Sequence, residues 1–428
     1  MSRLNPILNK KITDYSMKSL LLKFIQITLI FLVSKLIILL TIHFFSIGPF
    51  SLITDHKDAP YNFITSIKKA LTGWDSGWYK NIVEHGYSYT ENIKEQQNVA
   101  FYFGYPMTSK LVSQSFNIKA DWALILVNNA SVFFGLFFMY YLGRLLGLKD
   151  NVNFIGITLY SLNPFAIFLT AGYSEGMYFL ISAMALVLLI KRKYLPAAIV
   201  GGLLSGIRSI GIFYAPILFI HYFFIEKNKF NKKNIFTSII LLTFSVLGKA
   251  AFMLYNLVSF GDAFASEKVQ QYWGNIGGDI TLSQRFSNLY DYILIPFKNH
   301  FDLLNPSVVS ILMVYFLLII SIIVVIKITR TYRTEGSLSL IKFENEFIFL
   351  TWSVVQIVLP LIIFGTRNNN PFSMGRYVLP MFPIYILLGK LIEKKTTLYA
   401  LLLALFTFEM IIITVGFSFG LPKGFYVF

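Results

Sequence analysis

The chain of 428 residues contains no cysteine, and only 14% of it is charged. Without cysteine there can be no disulfide, zinc–thiolate site or cysteine nucleophile, and the redox compartment stays open. So little charge excludes an ordinary soluble domain, where about a quarter of the residues are ionic. Histidine is also scarce, five residues in all and scattered. No His-x-x-x-His spacing, phosphate-cradling glycine loop or nucleophile-elbow serine occurs. Nothing in the chain builds a strong protein metal site. Internal repeats and low-complexity tracts are missing as well.

What the chain has is apolar surface: 56% of residues are hydrophobic. A soluble protein this apolar would expose large patches and aggregate. The Leu/Ile/Phe runs recur along the whole length and are long enough to cross about 30 Å of hydrocarbon. An all-α polytopic membrane protein of about 11 transmembrane helices is expected, forming one integral membrane domain over residues 1–428. The spans read as 22–48, 122–147, 153–171, 173–190, 194–208, 209–225, 235–257, 306–327, 346–365, 376–392 and 398–418. Residues 194–225 read equally as one kinked helix or two short ones. Segments 61–71 and 99–115 are expected as interfacial or half-buried helices. The first run is too long for a cleavable signal peptide and no small-residue cleavage site follows it, so it reads as a signal anchor.

The net charge of +16 is no nucleic-acid footprint, because the charges fall in short clusters between apolar runs. Of the 37 Lys and Arg, 21 lie on the side of the N-terminus in this topology. That bias puts the N-terminus in the cytoplasm. Loops 49–121, 258–305 and 366–375 and the turn at 171–174 then face outward, and any active site faces outward with them.

The first external loop carries Trp74, Asp75, Ser76, Gly77, Trp78 and Tyr79. An aromatic frame can hold Asp75 partly desolvated, as a general base on a hydroxyl. Alternatively, the aromatics form an interfacial belt and Asp75 caps the next helix. Tyr173, Ser174 and Glu175 occupy a tight external turn, where Glu175 is either a paired functional acid or simply favours a helix dipole. Arg208 sits in an apolar stretch and either meets an anion (Glu175, Asp75 or a bound phosphate) or snorkels. The second loop, with Asp262, Gln270 and Trp273, either closes over a substrate or lies on the lipid surface. Arg367 and Arg376, beside Tyr377, either grip a phosphate, since a guanidinium can hold two phosphate oxygens at once, or anchor helix ends. Glu409, inside the last span, reads as a helix–helix hydrogen-bonding group.

Taken in order, these segments resemble the GPI mannosyltransferase II (PIG-V-like) family and its bacterial relatives, within the GT-C class of membrane glycosyltransferases. Trp74-Asp75-Ser76-Gly77-Trp78-Tyr79 is similar to the family's W-D-[SA]-x-[WH]-Y. Phe101-Tyr102-Phe103-Gly104-Tyr105-Pro106 resembles F-F-P-L-Y-P, without its first proline. Asn163-Pro164 through Tyr173-Ser174-Glu175 resembles P-x-x-x-F-x-x-x-x-Y-S-E, and Arg208 falls at [ST]-R-x-x-G with Ile207 before it. Gly261-Asp262 to Gln270 and Trp273 resembles G-D-P-x-x-F-x-x-x-Q-x-x-W, with Ala263 in place of proline. Arg376-Tyr377-Val378-Leu379-Pro380 resembles R-Y-x-L-P.

The resemblance implies a GT-C-like fold whose long first external loop carries interfacial helices. It implies inverting transfer of a hexose, mannose in the best-known members, from a polyprenyl-phosphate sugar donor. The acceptor would be a lipid-linked, glycan or protein hydroxyl; no cofactor is required, and a divalent metal is not obligatory. Asp75 is the expected base, with Trp74, Tyr79, Tyr173, Glu175, Arg208, Asp262, Gln270, Trp273, Arg376 and Tyr377 binding substrate. A transferase for another sugar and a lipid-linked sugar flippase are the alternatives. Composition, and the absence of an external N-x-[ST] acceptor, point to a bacterial inner membrane; a eukaryotic member would sit in the endoplasmic reticulum. Asn129-Ala130-Ser131 falls within a span.

Overall fold

The structure is a computed structural model, and it describes residues 17–46, 62–92, 94–225, 230–270, 281–335, 343–364 and 374–419. Every regular segment among them is helical. In chain order the helices are α1 (Met17–Ser46), α2 (Phe63–Leu71), α3 (Asp75–His85), α4 (Gly104–Phe116), α5 (Ala120–Leu145) and α6 (Asp150–Ser161). Then come α7 (Glu175–Ile190), α8 (Tyr194–Ile207), α9 (Tyr214–Ile220), α10 (Lys232–Ser245), α11 (Leu247–Phe260) and α12 (Ala265–Gln270). The last are α13 (Leu282–Ile293), α14 (Ile295–Lys298), α15 (Pro306–Glu335), α16 (Glu344–Phe364), α17 (Met374–Tyr377), α18 (Phe382–Ile392) and α19 (Thr396–Phe419).

Among the described residues, five stretches are long and apolar enough to cross a membrane alone: α1, α5, α15, Gly375–Ile392 and α19. α1 leaves Leu22, Leu29 and Leu36 exposed, and α15 leaves Ile319, Ile322 and Ile326 exposed. Faces of that kind are stable only where lipid replaces water. The interior helices differ from the expected spans, and each difference has a local cause. The run at 235–257 is two helices, α10 and α11, bent by 56°. The run at 153–171 stops at Ser161. Asn163 Oδ1 accepts the Phe165 N–H at 2.8 Å, and Pro164 disfavours helical backbone in the residue before it. The run at 376–392 is interrupted by a 3₁₀ turn over Leu379–Met381. Residues 194–225 break at Arg208, whose backbone is extended (φ −145°, ψ 145°).

That break is a reversal. The 3₁₀ segment Ser209–Phe213 folds back onto the end of α8 so closely that a Cβ on Gly211 would lie 2.2 Å from the Leu204 carbonyl oxygen. α7 and α8 have 16 and 14 residues. At 1.5 Å per residue they reach only about 24 and 21 Å, less than the hydrocarbon thickness. α7 is held by neighbouring helices instead of lipid: Tyr178, Phe179, Ala183, Leu186 and Leu189 are all buried, whereas α8 keeps Leu195, Ile199 and Leu203 exposed.

The bundle has two chemically distinct ends. One carries basic residues paired to acids, Lys23 and Arg144 on Asp150 (3.3 and 3.1 Å) and Lys390 on Glu346 (2.9 Å). α5, α7 and α8 connect that end with the opposite one, where α2, α3 and α4 pack on α5 and Asp75, Glu175, Arg208 and Arg376 gather.

Candidate active site

Asp75 is the first residue of α3, and the residue before it is strained. Trp74 has φ 56° and ψ −126°, a region that residues with a Cβ rarely enter. Its indole donates to the Phe417 carbonyl at 3.3 Å, tying the start of α3 to α19. The Asp75 side chain does not cap its own helix. Its Oδ2 accepts from Arg376 Nη1 at 2.5 Å.

The turn that brings Glu175 alongside is held by α5. Asn128 donates to the Phe168 and Ala171 carbonyls (2.9 and 2.6 Å) and accepts the Gly176 N–H at 2.7 Å. Asn129 donates to Thr170 O at 2.7 Å, so the Asn129-Ala130-Ser131 sequence is indeed inside a helix. The Gly172 N–H donates to Leu71 O at 2.8 Å, pressing the turn onto α2. Lys35 adds a cross-link from α1, donating to Leu169 O at 2.6 Å and Thr170 Oγ1 at 3.0 Å.

The result is a line of alternating charges. Asp75 pairs with Arg376; Arg376 Nε lies 3.7 Å from Glu175 Oε1; the same oxygen accepts from Arg208 Nη1 at 2.5 Å. The Glu175 side chain is 2% exposed, against 26% for Asp75. The cations are also bedded on rings, Arg376 over Phe168 and Tyr173 (5.6 and 5.5 Å) and Arg208 over Tyr377 at 5.2 Å. Ring faces attract cations, most strongly where water is excluded. Ser174 receives the Tyr79 hydroxyl at 3.1 Å and faces Arg208 Nη1 at 3.5 Å. Burial, with the Glu175 charge nearby, pushes the Tyr79 phenol well above its ordinary range, so Tyr79 serves as a hydrogen-bond donor.

Trp74, Asp75, Tyr79, Tyr173, Glu175, Arg208, Arg376 and Tyr377, spread over some three hundred residues of chain, thus come to one place. Asp262 does not join them. It accepts from Lys268 Nζ at 2.6 Å, the Tyr89 hydroxyl at 3.0 Å and the Phe264 N–H at 3.0 Å, which shapes the entry to α12. Gln270 donates to Ala100 O at 2.9 Å and faces a cavity of about 360 Å³ that Arg208 and Tyr377 also line. Trp273 and Arg367 lie outside the described residues. The sequence did not single out Ser174, Tyr102, Lys249 and Glu267 as site residues. A lysine inside an apolar run was the available signal for Lys249.

Residues 13–301, more than half of the chain, match the family described as Mannosyltransferase (PIG-V). The chain belongs to that family. Human GPI alpha-1,6-mannosyltransferase 2 is 29% identical over 168 residues, and the rat protein of the same name is 28% identical over 167. Each match covers 36% of this chain and 33% of the relative, so the chain spans about a third of the length of these proteins. The Archaeoglobus fulgidus oligosaccharyltransferase, solved with zinc and sulfate, aligns with 91% of this chain and 53% of its own. The TM-score is 0.46 and the identity 12%. The PIG-V family is one of glycosyltransferases, and among the described residues five stretches of this member are long and apolar enough to cross a membrane.

Proposed function

We propose that this PIG-V family member transfers a hexose, mannose by family likeness, from a polyprenyl-phosphate donor to a hydroxyl of a lipid-linked, glycan or protein acceptor. The line of charges from Asp75 to Arg208 carries the reading. Only one carboxylate in it, Asp75, is both partly exposed and fixed in direction by an arginine. Glu175 is enclosed, and its accepting oxygen faces two guanidinium groups.

In the proposed step the acceptor oxygen attacks the anomeric carbon from the face opposite the phosphate. The bond from that carbon to the phosphate oxygen breaks, and its electron pair stays on the lipid phosphate. The hydroxyl proton passes to Asp75, so the configuration inverts. Arg376 and Arg208 stabilise the charge developing on the departing phosphate, the role in which pre-placed donors contribute most. Glu175 holds the two arginines at the spacing the phosphate meets. The charge bias along the sequence supports placing this end of the bundle outside, with the N-terminus in the cytoplasm of a bacterial cell.

The test is Asp75→Asn in the purified, lipid-reconstituted protein, with radiolabelled polyprenyl-phosphate mannose and an extract of cell-envelope acceptors. The amide keeps the shape and cannot take the proton. A loss of at least about a hundredfold in transfer rate is expected, as for a positioned base, with thermal stability close to wild type. Near-normal turnover would remove Asp75 from the role.

A further inference from the structure

The four charges of the site sum to zero: each arginine already faces a carboxylate. An incoming lipid phosphate adds negative charge to a balanced cluster in a low-dielectric place, so it calls for a further cation. The cavity beside Arg208 contains one. Lys249 lies on the same wall, with Tyr102 and Glu267 around its ammonium and Phe213 and Phe264 supplying apolar surface.

Lys249 is held there by an unusually close helix crossing. A Cβ on Gly248 would lie 2.3 Å from Gly202 O and 2.4 Å from the Gly206 nitrogen, so α11 touches α8 backbone to backbone. The Lys249 N–H donates to Ser205 Oγ at 3.0 Å. Its Nζ donates to the Tyr102 hydroxyl at 2.5 Å, sits 4.9 Å from the centre of that ring, and is ion-paired with Glu267 Oε1.

Glu267 is a poor permanent partner. Its Oε2 is buried with no hydrogen-bond partner in the protein, so the desolvation of that charged oxygen is uncompensated. It stands on α12, a helix of only six residues. The Lys249 backbone, by contrast, is fixed by the helix crossing, and its ammonium is held by the Tyr102 hydroxyl and ring. The anion is therefore the exchangeable member of the pair.

We propose that Lys249 is a second cation for the lipid phosphate, and that Glu267 occupies it until the phosphate arrives. The phosphate would then lie between Arg208 and Lys249, its isoprenoid chain along the apolar wall, with Glu267 displaced toward solvent. This assignment rests on the polyprenyl-phosphate reading above, and it adds a specific consequence: the two partners of one ion pair affect ligand binding in opposite directions. A merely structural bridge would not do that.

The experiment is binding of undecaprenyl phosphate to the full chain in zwitterionic nanodiscs, read by native mass spectrometry, with phosphatidic acid as the comparison lipid. Lys249→Met should weaken binding of undecaprenyl phosphate about tenfold or more, the loss of one hydrogen bond to a charged group. Lys249→Arg should restore most of it. Glu267→Gln should tighten binding at least about threefold by removing the competitor. Equal or weaker binding by Glu267→Gln overturns the proposal, and that variant decides alone if Lys249→Met does not fold. Wild-type protein that takes no undecaprenyl phosphate overturns the donor reading together with this one. Equal uptake of phosphatidic acid shows a general anionic-lipid site and overturns the assignment to the donor.

Discussion

Glu175 is where the structure makes its strongest energetic claim. Its side chain is 2% exposed, accepts from Arg208 at 2.5 Å, and lies 3.7 Å from Arg376 Nε. Glu175→Ala would leave Arg208, 14% exposed, without its carboxylate. Removing one member of a buried pair costs about 3–5 kcal/mol, because the other charge stays behind uncompensated. Arg376 keeps Asp75, and Arg208 keeps some solvent and the Ser174 hydroxyl at 3.5 Å. The loss should therefore fall near the lower bound, about 3 kcal/mol. Glu175→Gln retains the volume and one acceptor and should cost less, about 2 kcal/mol. Adding Arg208→Gln to Glu175→Gln should cost at least about 1 kcal/mol less than the two single changes summed, since each removes what the other leaves stranded. Unfolding by SDS titration in mixed micelles, followed by helical circular dichroism, measures the wild type and all four variants. A loss below about 1 kcal/mol for Glu175→Ala, or strict additivity in the cycle, would refute the coupled network.

Backbone packing and the loop around Asp262 set three further outcomes. Gly211→Ala has no room beside the Leu204 carbonyl and should destabilise by about 1–3 kcal/mol while displacing Arg208. Gly77→Ala, which meets nothing within 4 Å, should leave the melting temperature unchanged or slightly raised. The Lys268 hydrogen bond, with those from Phe264 and Tyr89, holds the Asp262 carboxyl below its ordinary value. A depressed folded-state value means stability present above the unfolded value of about 3.9 and lost as pH falls through the lower folded value. The protection factor of the α12 amides, exchange relative to the unstructured rate at the same pH, should therefore fall on acidification through that window. In Asp262→Asn it should be low already and indifferent to pH; unchanged protection would contradict the link.

The parts of this fold legible in the sequence are those that depend on local chemistry. The long apolar runs became α1, α5, α15 and α19 because any stretch of that length and composition is stable in lipid. Residues 61–71 and 99–115, expected as interfacial or half-buried helices, are helical over Phe63–Leu71 and Gly104–Phe116. The breaks inside the bundle were harder to read. Proline marks the end of α6, but nothing local marks the 56° bend between α10 and α11. It is placed by the contact of Gly248 with Gly202 and Gly206, residues more than forty positions earlier.

The candidate site divides in the same way. Composition, charge bias and the ordered motif segments by themselves determined a membrane chain with one polar face, and singled out Asp75, Glu175, Arg208 and Arg376. Which acid meets which base was decided only by the tertiary structure. Asp75 was also readable as a helix cap; the folded chain instead pairs it with Arg376 of α17. Asp262 sits in a motif of the same kind, yet its partners are Lys268 and Tyr89. Ion pairing acts over a few ångströms between groups that the chain separates by tens to hundreds of residues. A sequence can therefore supply the charges, while only the folded bundle decides their partners.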